Sequence, residues 1–311
     1  MNIYDHIPVL LNETIESLNI RPSGRYFDGT IGLGGHAYEI LKRSAPDGFL
    51  FGCDCDEAAI ELALQRLKDF SGRFEIRQGF FDKVALELEA LSFDGALLDL
   101  GVSSMQLDDA ARGFSFLHDG PLDMRMNKDL PVKAADILSS ASEEELAYIF
   151  KEYGEEKNAK KFARAIVRAR VHKRFSRTLE LARFIECMEP RPAAKIHPAT
   201  KVFMALRIAV NQELDRLKDG LTNVWRLIKV GGRLCVITFH SIEDRIVKEF
   251  GRRLSKPYEY DGDVDEPDLR RPCEPRLRWV YKKAIRPTDE DVRNNPRCRS
   301  AQLRVFEKIH A

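Results

Sequence analysis

The chain of 311 residues lacks the features that would place it in a membrane or in a secreted scaffold. No uninterrupted apolar run approaches the roughly 20 residues that cross a bilayer. The first residues include acidic side chains where a secretory signal has a basic patch and then a long apolar stretch. These absences predict a cytoplasmic protein that does not associate with membranes.

The sequence also lacks paired cysteines and an overall charge of one sign. The six cysteines have the spacing of neither a disulfide framework nor a zinc ribbon, so we expect reduced thiols and no metal site. Lys and Arg number 50 against 49 Asp and Glu, which leaves a net charge of +1. A charged partner must therefore be sought through local clusters of charge rather than through the total.

Short apolar segments alternate with amphipathic helical segments in the first hundred residues, an order typical of a parallel sheet with helices on both faces. Strands are predicted at 25–27, 49–53, 74–77, 95–100, 233–239, 278–282 and 302–307. We therefore predict an α/β, Rossmann-like fold with a seven-stranded, mostly parallel sheet.

Between about residue 111 and residue 200 the strand signal disappears and helical periodicity replaces it. Ser142 and Glu145 have the form of a capping box, and Pro198 precedes a helix predicted over 199–217. We therefore predict a sheet domain at 1–110 and 201–311, and an inserted helical domain at 111–200. A Pro- and Asp-rich stretch at 256–275 is predicted to be an irregular loop.

A glycine-rich turn at 32–35 follows the first predicted strand and precedes a helix. Glycines let backbone N–H groups approach a ligand, and Asp54, at the end of the second strand, can accept hydrogen bonds from ribose hydroxyls. The pattern predicts an adenosine-type cofactor, and it also fits the looser fingerprint of a nicotinamide-dependent oxidoreductase. Asp28 beside the turn favours S-adenosylmethionine, because a carboxylate attracts a cationic cofactor and repels a pyrophosphate. After the third strand, Phe80 and Phe81 offer an apolar surface for the adenine, although such pairs are more often core residues.

Seven segments carry a family resemblance. In order they are Asp28-Gly-Thr-x-Gly-x-Gly-Gly-His36, Leu98-Asp-Leu-Gly-Val-Ser-Ser104, Arg112-Gly-Phe-Ser-Phe116, Asp119-Gly-Pro-Leu-Asp-Met-Arg125, His197-Pro-Ala-Thr200, Phe239-His-Ser-x-Glu-Asp-Arg245 and Asn295-Pro-Arg-x-Arg-Ser300. They resemble the signature stretches of the MraW/RsmH family of ribosomal RNA small subunit (cytosine-N4)-methyltransferases, and they span nearly the whole chain. Cys298 departs mildly from the family pattern, in which a small residue is expected, and the 256–275 loop matches no family motif.

The resemblance implies a class I S-adenosylmethionine methyltransferase fold in which the inserted helical domain at 111–200 recognises the substrate. It also implies methylation of the N4 amino group of one cytidine near the decoding centre of 16S rRNA, with the small ribosomal subunit as partner. By position, the family's cofactor contacts fall on Gly34, Gly35, His36, Asp54, Phe81, Asp99 and Gln106. Asp99 is also the first candidate to accept a hydrogen bond from the substrate amine. Leu-Gly-Val follows Asp99 where many amino methyltransferases have Pro-Pro-aromatic, so a role in cofactor binding alone stays open.

The segment at 157–177 carries nine Lys or Arg and no acid. Such a stripe is typical of a phosphate-binding surface, and the alternative is an ordinary solvated helix face. We predict RNA contacts at Lys160, Lys161, Arg164 and Arg168, and at His240 and Arg245 after the fifth strand. A non-catalytic RNA-binding module on the same fold stays open beside the methyltransferase and the oxidoreductase. The sequence leaves the oligomeric state open, with a homodimer as one option.

Overall fold

The computed structural model describes residues 8–189, 197–260 and 265–311. The chain forms two compact units, one made of Met1–Gly101 with Asp215–Ala311 and the other of Val102–Leu214. The second unit begins earlier and ends later than the insertion that we predicted at 111–200. Its described residues form helices, turns and one isolated β-bridge, and they add no strand to the main sheet.

The first unit is built on a seven-stranded sheet in the order β3-β2-β1-β4-β5-β9-β8. A separate two-stranded ribbon pairs β6 with β7. The strands are β1 (Arg25–Asp28), β2 (Phe49–Asp54), β3 (Phe74–Gln78), β4 (Phe93–Asp99), β5 (Ile228–Thr238), β6 (Tyr258–Glu259), β7 (Arg271–Pro272), β8 (Leu277–Trp279) and β9 (Gln302–Lys308). The first five strands in this order are parallel to one another, whereas β9 pairs antiparallel to β5 and β8 pairs antiparallel to β9. The predicted α/β class and the seven-stranded, mostly parallel sheet are confirmed.

Thirteen α-helices are described in the two units. They are α1 (Leu11–Ser17), α2 (Gly35–Arg43), α3 (Glu57–Leu67), α4 (Phe81–Glu87), α5 (Ser104–Asp108), α6 (Ala134–Ser140), α7 (Glu143–Tyr148), α8 (Ala159–Arg170), α9 (Thr178–Met188), α10 (Ala199–Asn211), α11 (Glu213–Leu227), α12 (Ser241–Leu254) and α13 (Asp289–Asn294). Ser142 caps α7 reciprocally with Glu145, as the sequence predicted. Among the helices that the structure describes, none combines the length and apolarity needed to span a bilayer.

Two apolar clusters cover the two faces of the sheet. Along β5, Leu234 and Val236 belong to one cluster, while Cys235 and Ile237 belong to the other. Side chains that alternate in this way are those of a strand buried on both faces, which explains why the sequence of β5 reads as a continuous apolar run. The sheet is thereby packed on both faces, and the loops at its carboxyl edge follow buried strands.

Two sequence predictions of local structure are wrong. The helix predicted over 199–217 breaks at Gln212, whose φ is +53°, so α10 ends at Asn211 and α11 begins at Glu213. The predicted irregular loop at 256–275 contains the β6–β7 ribbon, in which Asp265 accepts hydrogen bonds from Tyr258 and Arg270.

The break after α10 coincides with a buried polar contact in the second unit. Asn211 is 1% exposed, and its amide nitrogen donates to the carbonyls of Met124 (2.8 Å) and Arg207 (2.9 Å). Its Oδ1 accepts the Met126 N–H at 2.7 Å. Arg112 donates to the carbonyls of Arg125 and Met126 in the same segment. Side chains therefore satisfy backbone groups at 124–126 that no regular secondary structure pairs.

We predict that Asn211→Ala lowers the free energy of unfolding by about 2–4 kcal/mol, because it leaves buried backbone groups without partners. Urea unfolding measures the loss, and hydrogen exchange at the Met126 amide should accelerate with it. The control is Asn294→Ala, at an exposed position of α13, where we expect a change within about 0.5 kcal/mol. An Asn211 variant as stable as the control would contradict this account of the segment.

Candidate cofactor and active site

Three carboxylates end three neighbouring strands at the carboxyl edge of the sheet. Asp28 is the last residue of β1, Asp54 of β2 and Asp99 of β4. Open α/β sheets bind ligands at this edge, in the crevice beyond the strand ends. The structure therefore brings together three of the acids that the sequence singled out.

The glycine turn between β1 and α2 is fixed to Asp54. The Gly32 N–H donates to Asp54 Oδ2 at 2.9 Å, and the Asp56 N–H donates to Oδ1 at 2.9 Å. Gly34 has a φ of +75°, and a Cβ there would lie 3.3 Å from the Cα of Ala63 on α3. The turn thus needs glycine at Gly34 both for its backbone conformation and for its close approach to α3. No side chain among the described residues caps α2 at Gly34.

Asp28 and Asp99 are linked through Thr30. Asp28 Oδ1 accepts the Thr30 N–H at 3.1 Å, and the Thr30 hydroxyl accepts the Asp99 N–H at 2.6 Å. The pKa of Asp28 is raised to about 7, mainly by burial, with the Thr30 hydrogen bond lowering it and the neighbouring Asp54 carboxylate raising it. Asp28 and Asp54 are neighbours away from solvent, so ionising both of them is unfavourable. A bound cation would favour the charged forms.

Asp99, like Asp54, is half-buried. Burial raises its pKa well above the usual range, with smaller contributions from Asp28 and Glu243. His36 Nδ1 lies 3.8 Å from Asp99 Oδ2, while Asp99 Oδ1 has no hydrogen-bond partner among the described residues. A buried carboxylate oxygen without a partner is costly, so this atom is placed to receive a donor from outside the chain.

The two aromatic residues after β3 have separate surroundings. A Cβ on Gly220 of α11 would lie 2.0 Å from Phe81 Cε2, so the Phe81 ring edge packs against that glycine. The Phe80 ring lies under the Arg216 guanidinium, 3.6 Å from its carbon to the ring centroid. Both side chains are half-buried. Gly220 could not be predicted from local sequence, because its closeness to Phe81 comes from packing between distant segments.

His240 and Glu243 form the N-terminal cap of α12. His240 Nδ1 accepts the Glu243 N–H at 3.4 Å, and Glu243 Oε2 accepts the N–H groups of Phe239 (2.8 Å) and His240 (3.3 Å). Ser241 is the first residue of the helix. The His240 side chain is 10% exposed, whereas Arg245 is exposed one turn further on. The predicted substrate role of His240 must therefore be compatible with a capping role.

Two predicted sites lie in the second unit, and the first is Gln106. It is 5% exposed and shares a capping box with Ser103, whose N–H donates to Gln106 Oε1 at 3.0 Å. Its predicted contact with the cofactor stays a prediction.

The second is the basic stripe on α8. Ala159, Phe162, Ala163 and Ile166 are buried and Val167 is half-buried, which leaves the basic side chains on the outer face. Lys160, Lys161, Arg164 and Arg168 line an open groove of about 710 Å³ together with His172, Phe184 and Met188. Lys161 donates to the Met188 carbonyl, and Arg164 pairs with Glu143 at 3.0 Å. Lys160 and Arg168 have neither an ion pair nor a hydrogen bond with any described residue.

Of the other five basic residues of the predicted stripe, three are engaged within the unit, whereas Lys157 and Arg174 are exposed and have no partner among the described residues. Arg170 donates to the carbonyls of Leu138 and Ala141, Lys173 pairs with Glu180, and Arg177 pairs with Asp119. Within the described residues, no group of three or more His, Cys, Asp or Glu could hold a metal ion. The cationic surface is thus smaller than the sequence suggested.

Comparison with known proteins decides the family. A family model described as the MraW methylase family matches residues 3–309. The chain belongs to the MraW methylase family. Ribosomal RNA small subunit methyltransferase H of Carboxydothermus hydrogenoformans is 47% identical over 310 residues, 98% of each chain. The enzyme of the same name from Geobacter sulfurreducens is 48% identical over 315 residues, covering 98% of this chain and 99% of the relative.

Solved structures also resemble the chain at low identity. An rRNA methylase from Streptococcus thermophilus is 11% identical, with a TM-score of 0.40 over 98% of this chain and 99% of that chain. A SAM-dependent O-methyltransferase from Thermotoga maritima is 10% identical, with a TM-score of 0.44 over 100% of this chain and 70% of that chain.

As an MraW-family methylase, the protein is an S-adenosylmethionine-dependent methyltransferase. The oxidoreductase and the non-catalytic module that the sequence left open are set aside by this family assignment. The carboxyl edge fits the cofactor, because a cluster of acids with raised pKa values suits a sulfonium and an ammonium.

We predict that Asp28→Asn removes a pH dependence of stability in the cofactor-free protein. The native pKa of about 7 lies above the unfolded value of about 3.8, so the native state keeps its proton longer as pH rises. The contribution of Asp28 to the free energy of unfolding is fully present below about pH 4. It is lost as the pH rises through 7, and the loss is at most about 4 kcal/mol. Urea unfolding at pH 5 and pH 8 should therefore show a smaller difference for Asp28→Asn than for the wild type.

The matched control for Asp28→Asn is Asp69→Asn, at an exposed position. It should keep the wild-type difference between the two pH values. Equal pH dependence in Asp28→Asn and the wild type would show that Asp28 is ionised normally in the folded protein.

Proposed function

We propose that this methyltransferase transfers a methyl group from S-adenosylmethionine to the N4 amino group of one cytidine in 16S rRNA, near the decoding centre of the small ribosomal subunit. The observation that carries the proposal is the buried Oδ1 of Asp99, which lies near the glycine turn and has no hydrogen-bond partner among the described residues. The relatives' shared name, ribosomal RNA small subunit methyltransferase H, supports the class of substrate. The seven sequence motifs support the cytosine-N4 position.

The cofactor is assigned to residues of the sheet edge and of α5. Gly35 would bring a backbone N–H group to its polar end, and Gly34, whose own N–H donates to the Ile31 carbonyl at 2.8 Å, would let the turn approach it closely. Asp54 would hold the ribose through the lone pairs that Gly32 and Asp56 leave available. His36, Phe81, Asp99 and Gln106 complete the proposed set. When bound, S-adenosylmethionine supplies a methyl group on a positively charged sulfur.

Asp99 has the chemistry that an aminomethylation requires of the protein. The lone pair of a cytosine amine is partly delocalised into the ring, so the amine must be turned toward the methyl donor before it can attack. An acceptor for one amino hydrogen achieves this, and Asp99 Oδ1 is free to serve. Loss of the amine proton follows methyl transfer, and the Asp99 carboxylate can take that proton because its pKa is raised.

The RNA surface is assigned to the α8 groove, His240 and Arg245. Lys160 and Arg168 are free of ion pairs within the described part of the chain, so their charges are available to phosphates. The Arg164–Glu143 pair is exposed and contributes little, so RNA can compete for it. Phe184 and His172 add ring surface to the same groove.

Methyl transfer to isolated small ribosomal subunits tests the function. Tritiated S-adenosylmethionine should label 16S rRNA, and nuclease digestion with chromatography should find the label in N4-methylcytidine. Label in a carbon-methylated or ribose-methylated nucleoside would refute the N4 assignment while leaving the methyltransferase assignment intact.

We predict that Asp99→Asn lowers kcat by about 10²- to 10⁴-fold, the usual range for a group that positions or accepts a proton. Affinity for S-adenosylhomocysteine, measured by calorimetry, should change by less than tenfold. The control is Asp69→Asn, at an exposed position in the short helical turn after α3, and it should match the wild type in both assays. Equal losses of cofactor affinity and turnover would make Asp99 a cofactor contact only.

We predict that replacing Lys160, Lys161, Arg164 and Arg168 by Ala weakens RNA binding and flattens its salt dependence. Four lost phosphate contacts should reduce the slope of log K against log salt by about 3 units. Glu143→Gln is the control of opposite sign, because it frees Arg164 and should raise RNA affinity. Unchanged slopes in a folded quadruple variant would show that the RNA docks elsewhere.

A further inference from the structure

A second run of basic residues lies in the first unit, outside every site assigned above. Residues 275–288 include five Lys or Arg and no acid. They are Arg276, Arg278, Lys282, Lys283 and Arg286, and all five are exposed. Nothing in the proposed cofactor site or in the α8 groove uses them.

Hydrogen bonds define the path of this segment along the sheet. Strand β8 pairs with β9, the Val280 N–H then donates to the Val305 carbonyl, and Ile285 pairs with Leu303. The segment therefore follows β9 backwards, from its last residues toward Gln302. Gln302 pairs with Thr238 at the end of β5, two residues before His240. The basic segment thus leads to the carboxyl edge of the sheet, where Asp99 lies.

The cations at the end of this path are the available ones. Within the described residues, Lys282 and Lys283 form no ion pair or hydrogen bond, and the Arg286 bond goes to the neutral Gln302 at 3.2 Å. Arg276 and Arg278 are instead paired with Glu259 and Glu307. Three acids begin α13 at Asp289, but Asp291 is held by the Thr288 backbone and hydroxyl.

Two further residues extend the surface. Arg299 is exposed in the turn Pro296–Ser300 immediately before β9, in a sequence motif that the proposed active site does not use. Tyr281 is 41% exposed and directly precedes the two lysines. An aromatic ring among unpaired cations is typical of surfaces that bind single-stranded nucleic acid, with phosphates on the cations and a base stacked on the ring.

We propose that Tyr281, Lys282, Lys283, Arg286 and Arg299 form a track that binds single-stranded RNA and directs it to the carboxyl edge of the sheet. This inference rests on the proposed function, because it takes the substrate to be RNA. It adds a phosphate-binding surface on the sheet-bearing unit to the one on α8. The track should bind phosphates more strongly than the paired Arg276 and Arg278 nearby, because Lys282 and Lys283 are not neutralised by acids within the described part of the chain.

The test compares two triple variants of the full-length protein. The track variant is Lys282→Ala, Lys283→Ala and Arg286→Ala. The matched control is Lys42→Ala, Arg43→Ala and Lys68→Ala, which removes the same charge from exposed positions at the far ends of α2 and α3. Binding to a single-stranded 16S rRNA fragment is measured by fluorescence anisotropy from 50 to 300 mM salt. The track variant should lose tenfold or more in affinity and about 2 units of salt slope, and the control should lose neither.

Tyr281 provides a second test that leaves charge unchanged. Tyr281→Ala should weaken binding of the fragment about fivefold or more, whereas Tyr281→Phe, which keeps the ring, should bind like the wild type. Calorimetry with S-adenosylhomocysteine should give wild-type affinity for all of these variants, which shows that the cofactor site is intact.

The outcomes separate the track from the proposed function. If the track variant binds RNA like the control while the α8 variant is weakened, the track is overturned and the function stands. If the wild type binds the fragment through the track but never yields N4-methylcytidine, the function is overturned and the track stands. Equal losses in the track variant and the control would also overturn the track, because the effect would then depend on total charge alone.

Discussion

The Thr30 hydroxyl joins two loops of the sheet, since it accepts the Asp99 N–H at 2.6 Å while the Thr30 N–H is held by Asp28. The end of β4 is thereby tied to the turn that follows β1. Asp54 ties the same turn to the end of β2 through Gly32. The positions of the glycine turn and of Asp99 both depend on these bonds. A site made of short loops is held in place more firmly when each loop is bonded to its neighbour as well as to its own strand.

This arrangement disfavours the charged forms of its carboxylates, which raises the pKa values of Asp28 and Asp99. Asp28 is 1% exposed, and its pKa of about 7 shows that the folded chain does not favour its charge. A site that stores unfavourable negative potential is selective for cations, because a positive ligand removes the penalty and an anionic one increases it. The same argument distinguishes a sulfonium cofactor from a pyrophosphate on a turn that the glycine spacing alone could not resolve.

Much of the fold could be predicted from the sequence because periodicity reports burial directly. The alternating strands and the inward residues of α8 follow from local pattern, and the three strand-end acids follow from their place after apolar runs. The end of α10 could not be predicted in this way. Gln212 adopts a left-handed conformation where Asn211 bonds to residues 124 and 126, far away in sequence. Gly220 escaped for the same reason, since only the packed structure brings the Phe81 ring against it.

The cations that remain unpaired in the folded protein could not be predicted from the sequence. The run at 157–177 looks uniformly cationic, yet Arg170, Lys173 and Arg177 are engaged within the second unit. The run at 275–288 attracts less notice in the sequence because an acid-rich stretch surrounds it, yet Lys282 and Lys283 are free among the described residues. What a polyanion encounters is the set of cations left without internal partners, because a paired charge must first give up its partner. Counting charges along the chain therefore overstates the α8 surface and understates the one beside β9, and only the pairing pattern separates them.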